Sequence, residues 1–299
     1  MNIKKELFLA PVHDYTNLPF RELCRKYGVK YTVVPLVSSM GLISNNKYVD
    51  MIDYSNNKDE GIQIFGSNPK NMGKASEILI NSFNNLKWID INCGCPSKNV
   101  MQSGGGSALL KSHKIISEII KEIKNREIIV SVKMTLCDTT EKTLKLVSEI
   151  EPDFLIVHGR TIKQMYSGNA NWNEIKKIKQ NTELEIIGNG DINNYFEAKE
   201  KIKNKVCDGV MIGRAALSNP GCFSNVEVNK KNKIKFVREY LSIMKEKEYL
   251  EKITLTRMKM INILKGFDNS SEVRKEISLC KNVQEIEKIL EKEEEIGCY

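Results

Sequence analysis

A cysteine placed between glycine and proline is an unusual element of this 299-residue chain. It stands in Asp90-Ile91-Asn92-Cys93-Gly94-Cys95-Pro96-Ser97. A structural cysteine is normally surrounded by apolar residues, whereas Cys95 lies past the end of an apolar run. A thiol near its ordinary pKa is mostly protonated at neutral pH, which suits a proton donor. Cys93, two residues earlier, reads as a small core filler. Lys133 sits in Val130-Ser131-Val132-Lys133-Met134, apolar on both sides. It therefore reads as a functional cation, set against an anionic ring or a carboxylate, and not as a surface lysine. Gly188-Asn189-Gly190-Asp191 and Gly213-Arg214 combine glycines, which let backbone N–H groups approach an anion, with a planar guanidinium. That is phosphate-binding chemistry. The spacing Cys93-Gly94-Cys95 is too close for a zinc knuckle and no CxxC pair occurs, so no metal is expected.

The elements that must position these residues recur along the chain. Eight apolar, β-branched runs span Leu7–Val12, Tyr31–Leu36, Gly61–Phe65, Trp88–Asn92, Ile128–Met134, Phe154–His158, Glu185–Gly188 and Gly209–Ile212. They are continuous, not alternating, as strands buried on both faces of a parallel sheet should be. Helical patterns with polar faces lie between them, including Asn68–Phe83, Ser107–Lys124, Thr140–Glu149 and Asn193–Asn204. Eight βα units predict an α/β fold of the TIM (β/α)8 barrel type. A doubly wound sheet would normally stop at five or six strands and carry Gly-x-Gly-x-x-Gly after the first, where this chain has Ala-Pro-Val-His-Asp. In a barrel, Gln63, Asn92, Cys95, Lys133, His158, Arg160, Asn189, Gly190, Asp191, Gly213 and Arg214 all fall at strand ends and converge on one mouth.

After Pro220 the strand signal stops. Phe236, Tyr240 and Met244, then Leu255, Met258, Ile261 and Leu264, follow helical spacing until Gly266, Asn269 and Ser270 break it. This predicts a barrel over residues 1–226 and a small C-terminal all-helical domain over 227–299. The acidic run Glu291–Glu295 reads as a solvated helix end.

Composition bounds the class of protein. With 41% hydrophobic and 28% charged residues the chain is an ordinary globular one. It has no stretch of about 18 apolar residues and no export signal, so a cytoplasmic, membrane-free protein with reduced thiols is expected. The net charge is +8. Residues 227–275 hold 13 Lys/Arg against 7 Asp/Glu, or +6, and residues 276–299 hold 3 against 7, or −4. The basic excess of the tail thus lies in its first two-thirds, the footprint of a polyanion partner if it clusters in space.

The same residues carry a family resemblance. The run from Asp90 to Ser97 with Gly104-Gly105-Gly106-Ser107-Ala108-Leu109 resembles the hallmark of the tRNA-dihydrouridine synthases. So do Val157-His158-Gly159-Arg160-Thr161 with Gln164, Tyr166, Gly168 and Trp172, then Ile187 to Ile192, Asp208 to Ala215, and Asn219-Pro220. These motifs run in order from about residue 7 to 224. The segment from Met258 to Ile277 resembles that family's C-terminal helical domain. The usual Ala-Pro-Met-Ala start reads Ala10-Pro11-Val12-His13 here.

The resemblance implies an FMN-dependent barrel that reduces the C5=C6 bond of uridine in tRNA, with NADPH (or NADH) reducing the flavin. It implies that Pro11, Val12 and His13 lie under the isoalloxazine, and that Gln63, Lys133 and His158 contact its rings. Asn189, Gly190, Asp191, Gly213 and Arg214 would hold the phosphate, and Asn92 would position the uracil. Cys95 would give the proton at C5. Arg160, Gln164 and Tyr166 would line the rim, while Arg257, Lys259, Lys265, Arg274 and Lys275 would contact tRNA phosphates. The expected enzyme is monomeric. Two alternatives are a dihydroorotate dehydrogenase-like barrel acting on a small molecule and a non-catalytic RNA-binding barrel.

Overall fold

All eight apolar runs become parallel strands in the computed structural model, which describes residues 1–165 and 167–296. They are β1 (Leu7–Leu9), β2 (Thr32–Ser38), β3 (Glu60–Phe65), β4 (Trp88–Cys93), β5 (Ile129–Leu136), β6 (Phe154–Thr161), β7 (Glu185–Asn189) and β8 (Gly209–Ile212). The order β1-β8-β7-β6-β5-β4-β3-β2 is closed between β1 and β2 by a parallel bridge of Phe8 with Tyr31. Helices link successive strands, giving the barrel that the repeat predicts.

β1 stops three residues short of its expected limit, while β2, β5 and β6 run two or three residues past theirs; at β1 and β2 a proline is involved. β1 ends at Leu9 and not at Val12, because Pro11 has no N–H to continue the ladder. The Val12 N–H turns instead to Thr16 Oγ1 at 2.9 Å. β2 runs on to Ser38, but its register against β3 shifts between Val34 and Val37, across Pro35. The single helix expected over Ser107–Lys124 is a 3-10 turn at Gly106–Lys111 followed by a helix at His113–Lys124.

Alternation along each strand divides two cores. Outward residues such as Ile89, Ile91, Cys93, Val130, Val132, Leu155 and Val157 pack under the helices. Inward residues Phe8, Tyr31, Trp88 and Phe154 plug the barrel, with Phe8 and Tyr31 stacked at 4.8 Å and Trp88 against Phe154 at 5.3 Å. Gly61 is required beside that plug, since a Cβ there would come within 2.5 Å of the Trp88 ring.

The tail forms helices Lys230–Glu246, Ile253–Ile263, Ser270–Leu279 and Val283–Ile296. The first lies on the barrel helix Leu18–Lys26, with Tyr27 edge-on to Phe236 at 4.8 Å, and Phe223, Phe236, Val237 and Tyr240 share the barrel's outer core. The second buries Thr256, Lys259, Met260 and Ile263, while Leu255, Met258 and Ile261 are half-buried. Its inner face is thus rotated from the expected apolar stripe, because Glu251 collects both Lys259 (2.6 Å) and Thr256 (3.0 Å). The acidic run is not merely solvated: Glu293 pairs with Lys230 at 2.8 Å and Glu294 with Arg238 at 2.7 Å. Opposite charges on the first and last tail helices draw them together. Among the described residues, no helix is long and apolar enough to cross a membrane.

Candidate active site

The C-terminal ends of β3 to β8 gather most of the residues singled out from the sequence. Alternation turns Asn92 and Lys133 to the inside, and the register sets them side by side across β4 and β5. His158 and Asn189 pair likewise across β6 and β7. Asn92 Nδ2 donates to Gln63 Oε1 at 2.7 Å, and Gln63 Nε2 donates to Asp90 Oδ2 at 2.7 Å. Asn189 Nδ2 donates to the Met211 carbonyl at 2.8 Å.

Cys95 is held on both sides of its backbone. Its N–H donates to Asn92 Oδ1 at 2.9 Å, and its carbonyl accepts from the Ser107 N–H at 3.0 Å. The thiol is half-buried at the mouth. Cys93 faces the outer core, fully buried, where burial and the nearby Asp90 carboxylate push its thiol up. The two cysteines of the motif therefore lie on opposite sides of the β4 end.

Lys133 is half-buried and, among the described residues, its ammonium has no hydrogen-bond or ion-pair partner. Burial pulls its pKa down, against the pull of Asp90 and Cys95. An amine so placed fits an anionic or carbonyl-rich ligand. His158 is pushed down to about 3 by burial and then by the charges of Lys133 and Arg160, so its imidazole is neutral at physiological pH.

The expected phosphate end is built differently from the simple cradle. Asp191, in the left-handed region at φ 51°, accepts from Arg160 Nη2 at 2.8 Å, Arg214 Nη2 at 2.6 Å and the Ala170 N–H at 2.7 Å. Burial opposes its charge, but these partners hold its carboxyl below the usual range. Asp191 thus organises the two guanidiniums and does not itself face an anion. Arg160 is 4% exposed and bonded to Asp191 and the Gly168 carbonyl, so it is a buried strut and not a rim residue. Arg214 keeps a side chain 58% exposed. Gly190 has φ 125°, and a Cβ there would lie 2.6 Å from that of Ala170. The trio carries a net single positive charge, and with Lys133 the mouth fits a phosphorylated, acceptor-rich cofactor.

Pro11 and Val12 are half-buried beside this mouth. The His13 side chain is 65% exposed, 3.6 Å from Asp14. Gln164 caps its own turn, accepting from the Thr161 N–H at 2.9 Å. Tyr166 lies outside the described residues. A cavity of about 670 Å³ opens between the loops after β5 and β6, lined by Gln164, Thr139, Thr161 and Trp172 among others; it is beside the mouth and holds neither Cys95 nor Lys133.

The tail cations do not form one face. Lys259 is 1% exposed and paired with Glu251 at 2.6 Å, so it is a structural cation and not a surface one. Arg257 donates to the carbonyls of Ser278 (2.7 Å) and Cys280 (3.0 Å), capping a helix end, and Arg274 turns back to the Ser270 carbonyl at 3.1 Å. Lys265 and Lys275 are exposed.

The sequence alone did not single out Asp90, Ser131 or Trp88, whose polar atoms join the same constellation through the Trp88 Nε1 bond to Ser131 Oγ at 2.7 Å. The signal was available: Asp90 and Asn92, like Ser131 and Lys133, are two apart on a strand and share a face.

Comparison with known proteins adds an independent line. A family profile described as "Dihydrouridine synthase (Dus)" matches residues 8–296. A protein of Aquifex aeolicus named "Probable tRNA-dihydrouridine synthase" is 33% identical, covering 99% of this chain and 98% of that one. "tRNA-dihydrouridine synthase B" of Vibrio vulnificus is 34% identical, covering 75% and 71%. Among solved structures, a 2-naphthoyl-CoA reductase superposes with a TM-score of 0.53 at 12% identity, over 74% of this chain and 49% of that one. The 6-hydroxypseudooxynicotine amine oxidase of Pseudomonas geniculata N1 gives 0.55 at 10% identity, over 88% and 52%. The chain spans about half the length of these two structures, and the likeness to them is one of fold.

Proposed function

The chain belongs to the dihydrouridine synthase family, and from that premise we propose that it reduces the C5=C6 bond of uridine in tRNA, with FMN at the barrel mouth and Cys95 as proton donor. The observation that carries the proposal is the placement of Cys95. Its thiol is half-buried and its backbone is fixed through both N–H and carbonyl, two residues beyond a strand whose neighbour presents a lysine without a partner among the described residues.

Held at this mouth, FMN would supply hydride chemistry towards C6 of the uracil, with NADPH or NADH as the source of its electrons. Arg214, steadied by Asp191, binds the cofactor phosphate. Lys133 supports negative charge on the ring system, and the neutral His158 offers it a hydrogen bond without adding charge. Asn92 keeps an N–H for the uracil or the flavin while its oxygen holds the Cys95 loop. The Cys95 Sγ would give its proton to C5 of the uracil.

A uracil stacked in folded tRNA must be flipped out to reach this mouth, at a cost of a few kcal/mol. Phosphate contacts elsewhere offset that cost. We assign those to residues 227–299, chiefly the exposed Lys265 and Lys275, with catalysis in residues 1–226. A cytoplasmic location follows from the substrate.

The test uses the purified full-length protein. It should be yellow, release FMN on denaturation, and consume NADPH faster with tRNA lacking dihydrouridine, forming that base. Colourless protein that takes up no FMN sinks the cofactor assignment. NADPH consumption indifferent to tRNA, with no dihydrouridine formed, favours a small-molecule oxidoreductase.

A further inference from the structure

A chain of hydrogen bonds inside the barrel ends at both extremes in groups of fixed polarity, so every member between them is forced. At the mouth, Asn92 Oδ1 accepts from the backbone N–H groups of Gly94 (3.1 Å) and Cys95 (2.9 Å), which can only donate. At the plug, the Trp88 indole N–H, also donor only, bonds to Ser131 Oγ at 2.7 Å. The Ser131 hydroxyl proton therefore turns to Asp90 Oδ1. The other Asp90 oxygen accepts from Gln63 Nε2 (2.7 Å), and Gln63 Oε1 accepts from Asn92 Nδ2 (2.7 Å). Amide orientation is often ambiguous, but here the backbone donors at the mouth set it, and an ionised Asp90 that accepts from Ser131 is consistent with it. With Asn92 Oδ1 accepting two bonds and Gln63 Oε1 one, the β3–β5 wall keeps one N–H of Gln63, one N–H of Asn92 and the Lys133 ammonium as its free donors.

We propose that Asp90 is a positioning residue for the reaction proposed above. By accepting from Gln63 and Ser131 together, it sets the polarity of Gln63 and Asn92, so that this wall presents their amide N–H groups and the Lys133 ammonium as donors to the carbonyl and ring-nitrogen acceptors of flavin and uracil. The inference rests on that functional reading for the identity of the ligands, while the bond chain itself stands on the geometry.

The surrounding charges fit the role. Burial pushes the Asp90 carboxyl up to about 6, against the Ser131 and Gln63 bonds and the charge of Lys133. The charged group facing it is Lys133 on β5, and Asp90 in turn supports the charge of Lys133. An asparagine at position 90 has the same shape but one acceptor and one donor edge. With its amide toward Ser131, the serine proton is orphaned beside the Trp88 N–H. With its amide toward Gln63, both amides must flip and the Cys95 N–H loses its acceptor.

The experiment compares full-length holoprotein carrying Asp90→Asn or Ser131→Ala with the unaltered protein. Asp90→Asn should lower kcat for dihydrouridine formation roughly 100-fold, the scale of a small misplacement at a reacting centre. The KM for tRNA should be unchanged, and the absorption spectrum of bound flavin should shift. Ser131→Ala leaves the Asp90–Gln63 bond in place and should cost several-fold less. A second measurement needs no variant and no turnover: neutron diffraction of the unaltered protein should place the Gln63 Nε2 deuterons towards Asp90 and the Asn92 Nδ2 deuterons towards Gln63. An Asp90→Asn protein with ordinary kcat and spectrum overturns the proposal. Equal losses in the two variants, or nuclear density with the Gln63 oxygen facing Asp90, overturn it as well. If Asp90→Asn does not fold, the neutron structure decides. Unaltered protein without flavin or dihydrouridine formation sinks the functional reading instead, and the neutron structure still judges the chain.

Discussion

Cys95 and Cys93 are two residues apart and differ in almost every physical respect. One is a half-buried thiol on a doubly tethered loop, and the other is a fully buried side chain in the outer core. Replacing Cys95 with alanine should leave flavin binding and oxygen-dependent NADPH oxidation intact. Dihydrouridine formation should fall by about two to four orders of magnitude, the span for a lost general acid. Cys93→Ala should cost about 1 kcal/mol of stability through lost packing, with little change in turnover. The comparison is made by measuring dihydrouridine yield and thermal midpoint for both. Similar turnover losses at the two sites would remove the distinction between donor and filler.

At the scale of the element, the β4 strand ends in a loop whose shape depends on a glycine thirteen residues beyond Cys93, the last residue of the strand. Gly106 has φ 60°, and a Cβ there would come within 2.6 Å of the Cys95 carbonyl oxygen. That carbonyl accepts the Ser107 N–H, so backbone must sit against backbone where Cys95 is fixed. Gly106→Ala should therefore destabilise the protein by about 1–3 kcal/mol through combined strain and crowding. It should also lower turnover beyond what the loss of folded protein explains, because the thiol moves. Turnover per folded molecule, with the folded fraction read from thermal melting, separates the two. Unchanged turnover would show that the loop tolerates the shift.

For the whole molecule, the tail is joined to the barrel by buried polar bonds as well as by apolar packing. Glu251 accepts from Asn17 Nδ2 at 3.0 Å, from the Tyr240 hydroxyl at 3.2 Å and from Lys259 at 2.6 Å, and Asn17 also donates to the Tyr240 hydroxyl at 2.8 Å. Asn17 belongs to the turn after β1, which also carries Val12 and His13. Cutting the chain near Ser224 would strip this surface and expose Tyr27 and its neighbours, so point substitutions are the better probe of RNA binding. Lys259→Met should destabilise by about 3–5 kcal/mol, because the Glu251 carboxylate is left buried without its cation. Lys265→Ala and Lys275→Ala should leave stability within about 0.5 kcal/mol. Each should weaken tRNA binding and lower the slope of affinity against salt by about one if it meets a phosphate. Binding isotherms at several salt concentrations, beside thermal melts, check both halves. Unaltered slopes in both surface variants would move the RNA contacts off this part of the tail.

The sequence by itself determined the eight strands, the switch to helices after Pro220, the Cys95 motif and the glycine-rich strand ends. All of these depend on local order: a period of two or 3.6, proline and glycine punctuation, and residue types at short spacing. Even the departures of β1 and β2 are local in cause, since Pro11 and Pro35 end or shift their ladders where an N–H is missing. What only the tertiary structure decided is which polar atoms meet. Asp90 and Ser131 are 41 positions apart, and Asn17 and Glu251 are 234 apart. Their pairing depends on the register of adjacent strands and on where the tail helix lies. That geometry turned Arg160 and Lys259 from expected RNA contacts into buried struts, made Asp191 the partner of two arginines, and drew Asp90 into the site. A charged side chain carries the same letter whether it faces solvent or a buried carboxylate, and only closure of the barrel and docking of the tail distinguish the two.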